Sequence, residues 1–206
     1  MTPATPSTPA QHDRYERVLQ AATAILALGG EETLQMKDLA QRADVSLATL
    51  YRYFPAKDHV LLAISASRYE NALRRVTSER PRGATVQERV TSHLLREFRA
   101  EQRDQQLTAA LTRVLTDTRP DYRQIIHQVR EHHMKVLQQV AVPGLTASGE
   151  QYRRLEIVLD VFSAATRRWL AGVSSAAEAR FEIRIGCHVL NVLDLFPGED
   201  LPDDVV

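Results

Sequence analysis

Cysteine is almost missing from this chain of 206 residues, with Cys187 standing alone. A lone thiol cannot close an intramolecular disulfide, which excludes a disulfide-stapled secreted scaffold. Net charge is missing as well: 26 Lys and Arg face 26 Asp and Glu. The chain therefore lacks the broad positive field that carries much non-specific nucleic-acid binding. There is no uncharged apolar run long enough to cross a bilayer. Residues 1–12 are rich in Thr, Pro and Ala and hold no Lys or Arg, so neither the basic start nor the apolar core of a signal peptide is present. A cytoplasmic protein with no membrane partner is expected. With 44% hydrophobic and 25% charged residues, the composition is that of a folded soluble domain rather than a disordered chain.

Strand patterns are absent too; apolar residues recur with helical period almost throughout. The first helix is expected from Asp13, with Tyr15, Val18, Leu19, Ala22, Ile25 and Leu26 on one face and Gly29-Gly30 as its stop. Two short helices follow, over 36–43 and, capped by Ser46, through Tyr53, with Pro55 closing the second. Longer helices are expected over 57–78, 85–102, 104–115, 120–140, 150–171 and 176–196. The fold class is all-α, with about nine helices. Residues 1–12 form a disordered tail, 13–56 a three-helix unit, 57–197 a larger helical domain and 198–206 an acidic tail.

The stretch from Leu39 to Phe54 carries the most information. Ala40 is small where two helices would cross, and Asp44 occupies the turn, where Asp tolerates the left-handed region. Leu39, Val45, Leu50 and Phe54 can close over one another. The other face of the third helix offers Leu47, Ala48, Thr49, Tyr51, Arg52 and Tyr53, groups suited to a DNA groove. This is the pattern of a helix-turn-helix, whose second helix lies in the major groove.

On Leu39-Ala40 with Ala43, Val45-Ser46, Thr49-Leu50-Tyr51, Tyr53-Phe54, Lys57 and Leu61, the segment from Tyr15 to Leu62 resembles the DNA-binding domain of the TetR family of transcriptional repressors. The first 62 residues are particularly similar to actinobacterial repressors of the KstR type, which answer to steroid-derived acyl-CoA metabolites. The resemblance implies a homodimer on double-stranded, palindromic operator DNA, released by a mainly hydrophobic small-molecule inducer such as a lipid, steroid or acyl-CoA metabolite. It implies base-facing roles for Leu47, Ala48 and Tyr51, backbone or base contact by Lys37, and phosphate contacts by Thr49, Tyr53 and Lys57. Ser46 belongs to the same set as the helix cap, and Arg52 can pair bidentately with guanine. The chain departs from the family at Asp44 and Ala48, where Gly is usual or frequent, at Tyr53, where His is usual, and at Ala56, which cannot cap the fourth helix.

For the larger domain the resemblance implies dimerisation through the last two helices, and the uncharged run over 185–193 fits a helix covered on both sides. The candidate inducer contacts are His93, Phe98, Tyr122, His133, Tyr152, Phe162, Thr166 and Trp169. Arg167-Arg168 could meet an acidic head group, or be solvated or salt-bridged. His127, His132 and His133 lack the spacing of a helical metal pair and are expected at the surface, with no metal and no cofactor. Cys187 is expected to be buried and inert. Di-iron, zinc-protease and phosphate-loop motifs are all missing, so no enzyme is expected. The alternatives are a helical interaction or ligand-binding module without DNA binding or, less favoured, an α-helical enzyme.

Overall fold

The structure, a computed structural model, describes residues 5–79 and 81–191. Nine α-helices and no strand occur among them: α1 (Pro9–Gly29), α2 (Met36–Arg42), α3 (Leu47–Tyr53), α4 (Lys57–Ser78), α5 (Val86–Arg103), α6 (Gln105–Leu115), α7 (Pro120–Ala141), α8 (Gly149–Leu170) and α9 (Ala176–Gly186). The all-α class and the helix count match expectation.

Two boundaries differ. Helix α1 starts at Pro9, inside the expected tail, because the Thr8 side chain accepts from the Gln11 amide and proline suits a first helical turn. Helix α9 stops at Gly186 and the chain goes on as a 3-10 turn, Cys187–Asn191. Glycine weakens a helix interior by about 1 kcal/mol, and a close approach to α8 requires it here. A Cβ at Gly186 would lie 2.7 Å from Val161 Cγ1. The remainder of the expected last helix, Pro197-Gly198 and the acidic tail lie outside the described residues.

Two apolar cores organise the helices. The first joins α1 to α4 through Leu26, Leu39, Leu50, Phe54 and Leu61, and it also takes in Leu107, Ala110, Leu111 and Val114 of α6 and Tyr122 of α7. The second is built from α5, α7, α8 and α9 around Phe98, Leu137, Leu155, Phe162 and Ile183. Helix α6 is thus packed into the N-terminal core although it lies late in the sequence. Substituting Gly186→Ala forces a methyl into Val161 and should lower stability by about 1–3 kcal/mol. A urea-unfolding midpoint equal to that of the parent chain would contradict the close α8–α9 approach.

Candidate DNA-reading face and ligand cavity

Helix α3 follows the turn at Asp44, whose φ of 52° makes it the non-glycine residue in the left-handed region among those described. Arg17 of α1 fixes this turn, with Nε donating to the Ala43 carbonyl at 3.2 Å and Nη2 to the Asp44 carbonyl at 3.4 Å. Ser46 caps α3: its Oγ accepts from the Thr49 amide at 3.1 Å and donates to Thr49 Oγ1 at 2.9 Å. Leu50, Tyr53 and Phe54 are buried. The opposite face is therefore turned to solvent, with Leu47 40% and Tyr51 41% exposed, and Ala48 and Arg52 exposed beside them. Lys37 is exposed at the start of α2.

Two of the residues expected at phosphates, Tyr53 and Lys57, are engaged within the fold. Tyr53 is only 3% exposed; its ring meets Tyr15 edge-on at 5.9 Å, and its hydroxyl is buried without a hydrogen-bond partner. Tyr53 lies three residues from Leu50, on the inward side of α3, so its hydroxyl is not presented on the exposed face where a phosphate contact was expected. Lys57 is half-buried and donates from Nζ to the Glu31 carbonyl at 3.1 Å, tying the start of α4 to the segment after α1. Ala56 makes no side-chain cap, as expected.

Behind this unit, a cavity of about 420 Å³ lies between α4, α6, α7 and α8. Leu111, Leu115, Ile126, Val129, Leu159 and Phe162 supply its apolar wall. Of the candidate ligand residues, His133, Phe162 and Thr166 line it. The other candidates lie elsewhere. Tyr122 is packed in the N-terminal core, donating to Asp58 Oδ2 at 3.3 Å. Phe98 and Trp169 pack on each other, edge to face at 5.2 Å. Tyr152 donates to Glu131 at 3.3 Å, and His93 faces a separate groove. Phe98 and Tyr122 are buried, and Tyr152 and Trp169 are partly buried against the second core, so all four pack at core positions.

His133 also corrects the expectation of surface histidines. It is buried, stacked on Tyr69 at 4.1 Å, and within 3.2 Å of Glu97 Oε2. His127 is exposed and His132 half-buried, and no metal-binding cluster occurs among the described residues. Burial opposes charge on Glu97, yet His133 and His93 outweigh that and hold its carboxyl below the usual range. Glu101, one turn on, lines the cavity and accepts from Thr166 Oγ1 at 3.0 Å. Burial first, and the Glu97 charge second, push its carboxyl well above the usual range. The sequence does signal this pair: Glu97 and Glu101 interrupt the apolar stripe of Val90, Leu94, Phe98 on α5. Of the neighbouring arginines, Arg167 is exposed and lines the cavity, while Arg168 pairs with Glu182. Burial also pushes up the Cys187 thiol, in keeping with an inert cysteine.

Helix α6 joins cavity to reading unit. Thr112, Leu115 and Thr116 face the cavity, while Arg113 donates to Glu31 Oε2 at 2.6 Å and to Asp58 Oδ1 at 2.5 Å. Arg119, after α6, also pairs with Asp58. Burial alone would raise the Asp58 carboxyl, but hydrogen bonds from Arg113 and Arg119 outweigh it and hold it low. Asp58 is thus a hub between the N-terminal unit and the α6–α7 corner.

Comparison with known proteins agrees with this architecture. Residues 18–64 match the family described as bacterial regulatory proteins, tetR family. The chain is 32% identical over 184 residues to the HTH-type transcriptional repressor KstR of Rhodococcus jostii (strain RHA1), covering 89% of this chain and 85% of that protein. Its fold superposes on a TetR transcriptional regulator from Rhodococcus sp. RHA1 with a TM-score of 0.78 at 23% identity, covering 89% of this chain and 98% of that one. A second similar structure is the transcriptional regulator FadR from Bacillus subtilis in complex with stearoyl-CoA, with a TM-score of 0.65 at 17% identity over 87% of this chain and 100% of that one. These define a helix-turn-helix regulator class. The chain belongs to the tetR family of bacterial regulatory proteins.

If Tyr53 is a core residue, Tyr53→Phe removes an unpartnered buried hydroxyl. It should leave DNA affinity within about twofold while stability holds or rises by up to about 1 kcal/mol. A large loss of DNA affinity at unchanged stability would restore Tyr53 to the phosphate-contacting set.

Proposed function

We propose that the protein is a ligand-responsive transcriptional repressor that binds a palindromic operator as a dimer and is released by an acyl-CoA-type inducer. The observation that carries this is the two-sidedness of α3: Leu50, Tyr53 and Phe54 anchor it inward, so Leu47, Ala48, Tyr51 and Arg52 form an exposed face one helix wide. Such a face fits the major groove, with Tyr51 and Leu47 against base edges and thymine methyls and Arg52 toward guanine. Lys37, Thr49 and the remaining donors of Lys57 serve the backbone, where contacts position but do not specify.

Dimerisation through α8 and α9 is supported by an outward apolar stripe. Ile157, Phe181 and Ile185 are 50%, 63% and 52% exposed, and the last two are four residues apart on α9. A twofold pair would present two reading heads about 34 Å apart, one DNA turn. The inducer class rests on the mostly apolar cavity wall and on the acyl-CoA ligand of the FadR relative. Release follows if the ligand favours a form in which α6 shifts and the pull of Arg113 and Arg119 on Asp58 alters the seating of α4.

The test is binding to fragments upstream of the gene itself and its neighbours. Affinity should fall steeply with salt, and palmitoyl-CoA should weaken it; a salt-independent response is incompatible with phosphate contacts. Within that assay Arg52→Ala should cost about 1–3 kcal/mol at one base pair and relax preference there. A uniform loss across all sequences would instead make Arg52 a backbone contact. Arg113→Ala should keep DNA binding but shrink the ligand's effect, usually about 5–150-fold for coupled sites, toward none. Full ligand response in Arg113→Ala would remove the α6–Asp58 link from the mechanism.

A further inference from the structure

Helices α4 and α5 both pack on α7, and between them runs a groove of about 780 Å³ that is distinct from the cavity. Arg68, Arg74 and Arg75 of α4 and Arg96 of α5 line it. Past Arg96 a further depression continues to Arg99. Among the described residues, none of Arg68, Arg75, Arg96 and Arg99 is within ion-pair distance of a carboxylate. Arg74 bonds only to the neutral side chain of Asn71. Two carboxylates border the groove, Glu79 and Glu97, and Glu97 is already held by His133 and His93. Arg68 faces the charge of Glu97 and Glu101, so the excess of guanidinium charge in the groove lies with Arg74, Arg75 and Arg96. Burial lowers the basicity of His93 first; Glu97 opposes this, and His133, Arg96 and Arg75 add to the lowering.

The groove and the cavity are neighbours. Arg68 and Tyr69 line both, and Tyr69 is stacked on His133, which forms part of the cavity wall. A molecule with an apolar arm and a polyanionic end could rest the arm against Leu111, Leu115 and Phe162 and turn its charged end past Tyr69 onto the arginines. Guanidinium forks are suited to phosphate oxygens, which they can engage bidentately. A fatty acid carries a single carboxylate, too little charge for four arginines. A thioester of coenzyme A carries a diphosphate and a ribose phosphate.

We propose that the α4–α5 groove is a phosphate-binding subsite that seats the nucleotide end of an acyl-CoA whose acyl chain occupies the cavity. This rests on the acyl-CoA reading of the inducer and assigns that ligand's charged end to Arg68, Arg75 and Arg96. Specificity then divides between two regions: the cavity selects the acyl group, and the groove demands the coenzyme.

Calorimetric titration of the full chain with palmitoyl-CoA, coenzyme A, palmitate and pyrophosphate tests this in the parent protein and in Arg75→Ala and Arg96→Ala. Palmitoyl-CoA should bind tightest and coenzyme A weakly, with an affinity that falls with salt. Each substitution should weaken palmitoyl-CoA roughly tenfold or more, as expected for a lost charge-assisted contact. Palmitate affinity should stay constant, which also reports that the variants are folded. Unchanged palmitoyl-CoA affinity in both variants, or an equal loss for palmitate, would overturn the subsite. So would pyrophosphate binding as tightly as coenzyme A, which would make the groove a site for free phosphates, or a loss confined to DNA binding, which would assign it to nucleic acid. If the parent chain binds no palmitoyl-CoA at all, the inducer reading itself fails and the subsite falls with it, an outcome distinct from failure of the variants alone.

Discussion

A seven-residue helix does not stand by itself in water, since the cost of nucleation exceeds what so few hydrogen bonds return. Helix α3 exists because Leu50, Tyr53 and Phe54 are pulled into the core beside Tyr15, where its ring lies 4.9 Å from that of Phe54. Burying side chains of this size contributes about 1.5–3 kcal/mol each, far more than the intrinsic preferences of the solvent-facing residues. That burial fixes the rotation of the helix about its axis, and with it the identity of the outward residues. The same packing requires small residues at the crossing, hence buried Ala40 and Ala43. It also requires a left-handed residue at the turn, which Asp44 supplies and Arg17 braces from α1. Recognition chemistry is thus a by-product of which face the core claims.

Helix α6 extends that logic across the molecule. Its Leu107, Ala110 and Val114 belong to the N-terminal core, its Thr112, Leu115 and Thr116 to the cavity wall, and its Arg113 to Asp58 and Glu31. In the proposed mechanism, a ligand that shifts this shared helix also moves the seat of α4. Surface ion pairs of this kind contribute little to stability, about 0–1 kcal/mol each. Their place here is between two units whose relative position matters, so they bear on coupling more than on folding.

Much of this was legible beforehand. Helical period, the Gly29-Gly30 stop, the Ser46 cap and the Leu39–Phe54 pattern carry local physics, and local physics is written in neighbouring residues. The fold class and the outward face of α3 followed from them. The inward turn of Tyr53 is not legible from its type, because a hydroxyl beside Arg52 looks polar in sequence while its spacing from Leu50 places it inside. The ligand region was less legible still. Phe98, Tyr122 and Trp169 have the composition of a pocket yet do not line the cavity, because which side of a long helix meets a cavity depends on partners far along the chain. Arg113, Asp58 and Glu31 come together over separations that no periodicity reports. Glu97 and Glu101 left a trace, as carboxylates on an apolar stripe, but the stripe alone did not say that it borders an opening.

The central claim is that one conformational equilibrium, transmitted through α6, joins the reading face to the cavity. Thermodynamic linkage makes it testable from both sides. Palmitoyl-CoA affinity should be measured for the free protein and for the protein saturated with its operator, and operator affinity with and without palmitoyl-CoA. The account predicts that each ligand weakens the other by the same factor. Two affinities that do not respond to one another, with both ligands bound at once, would contradict it.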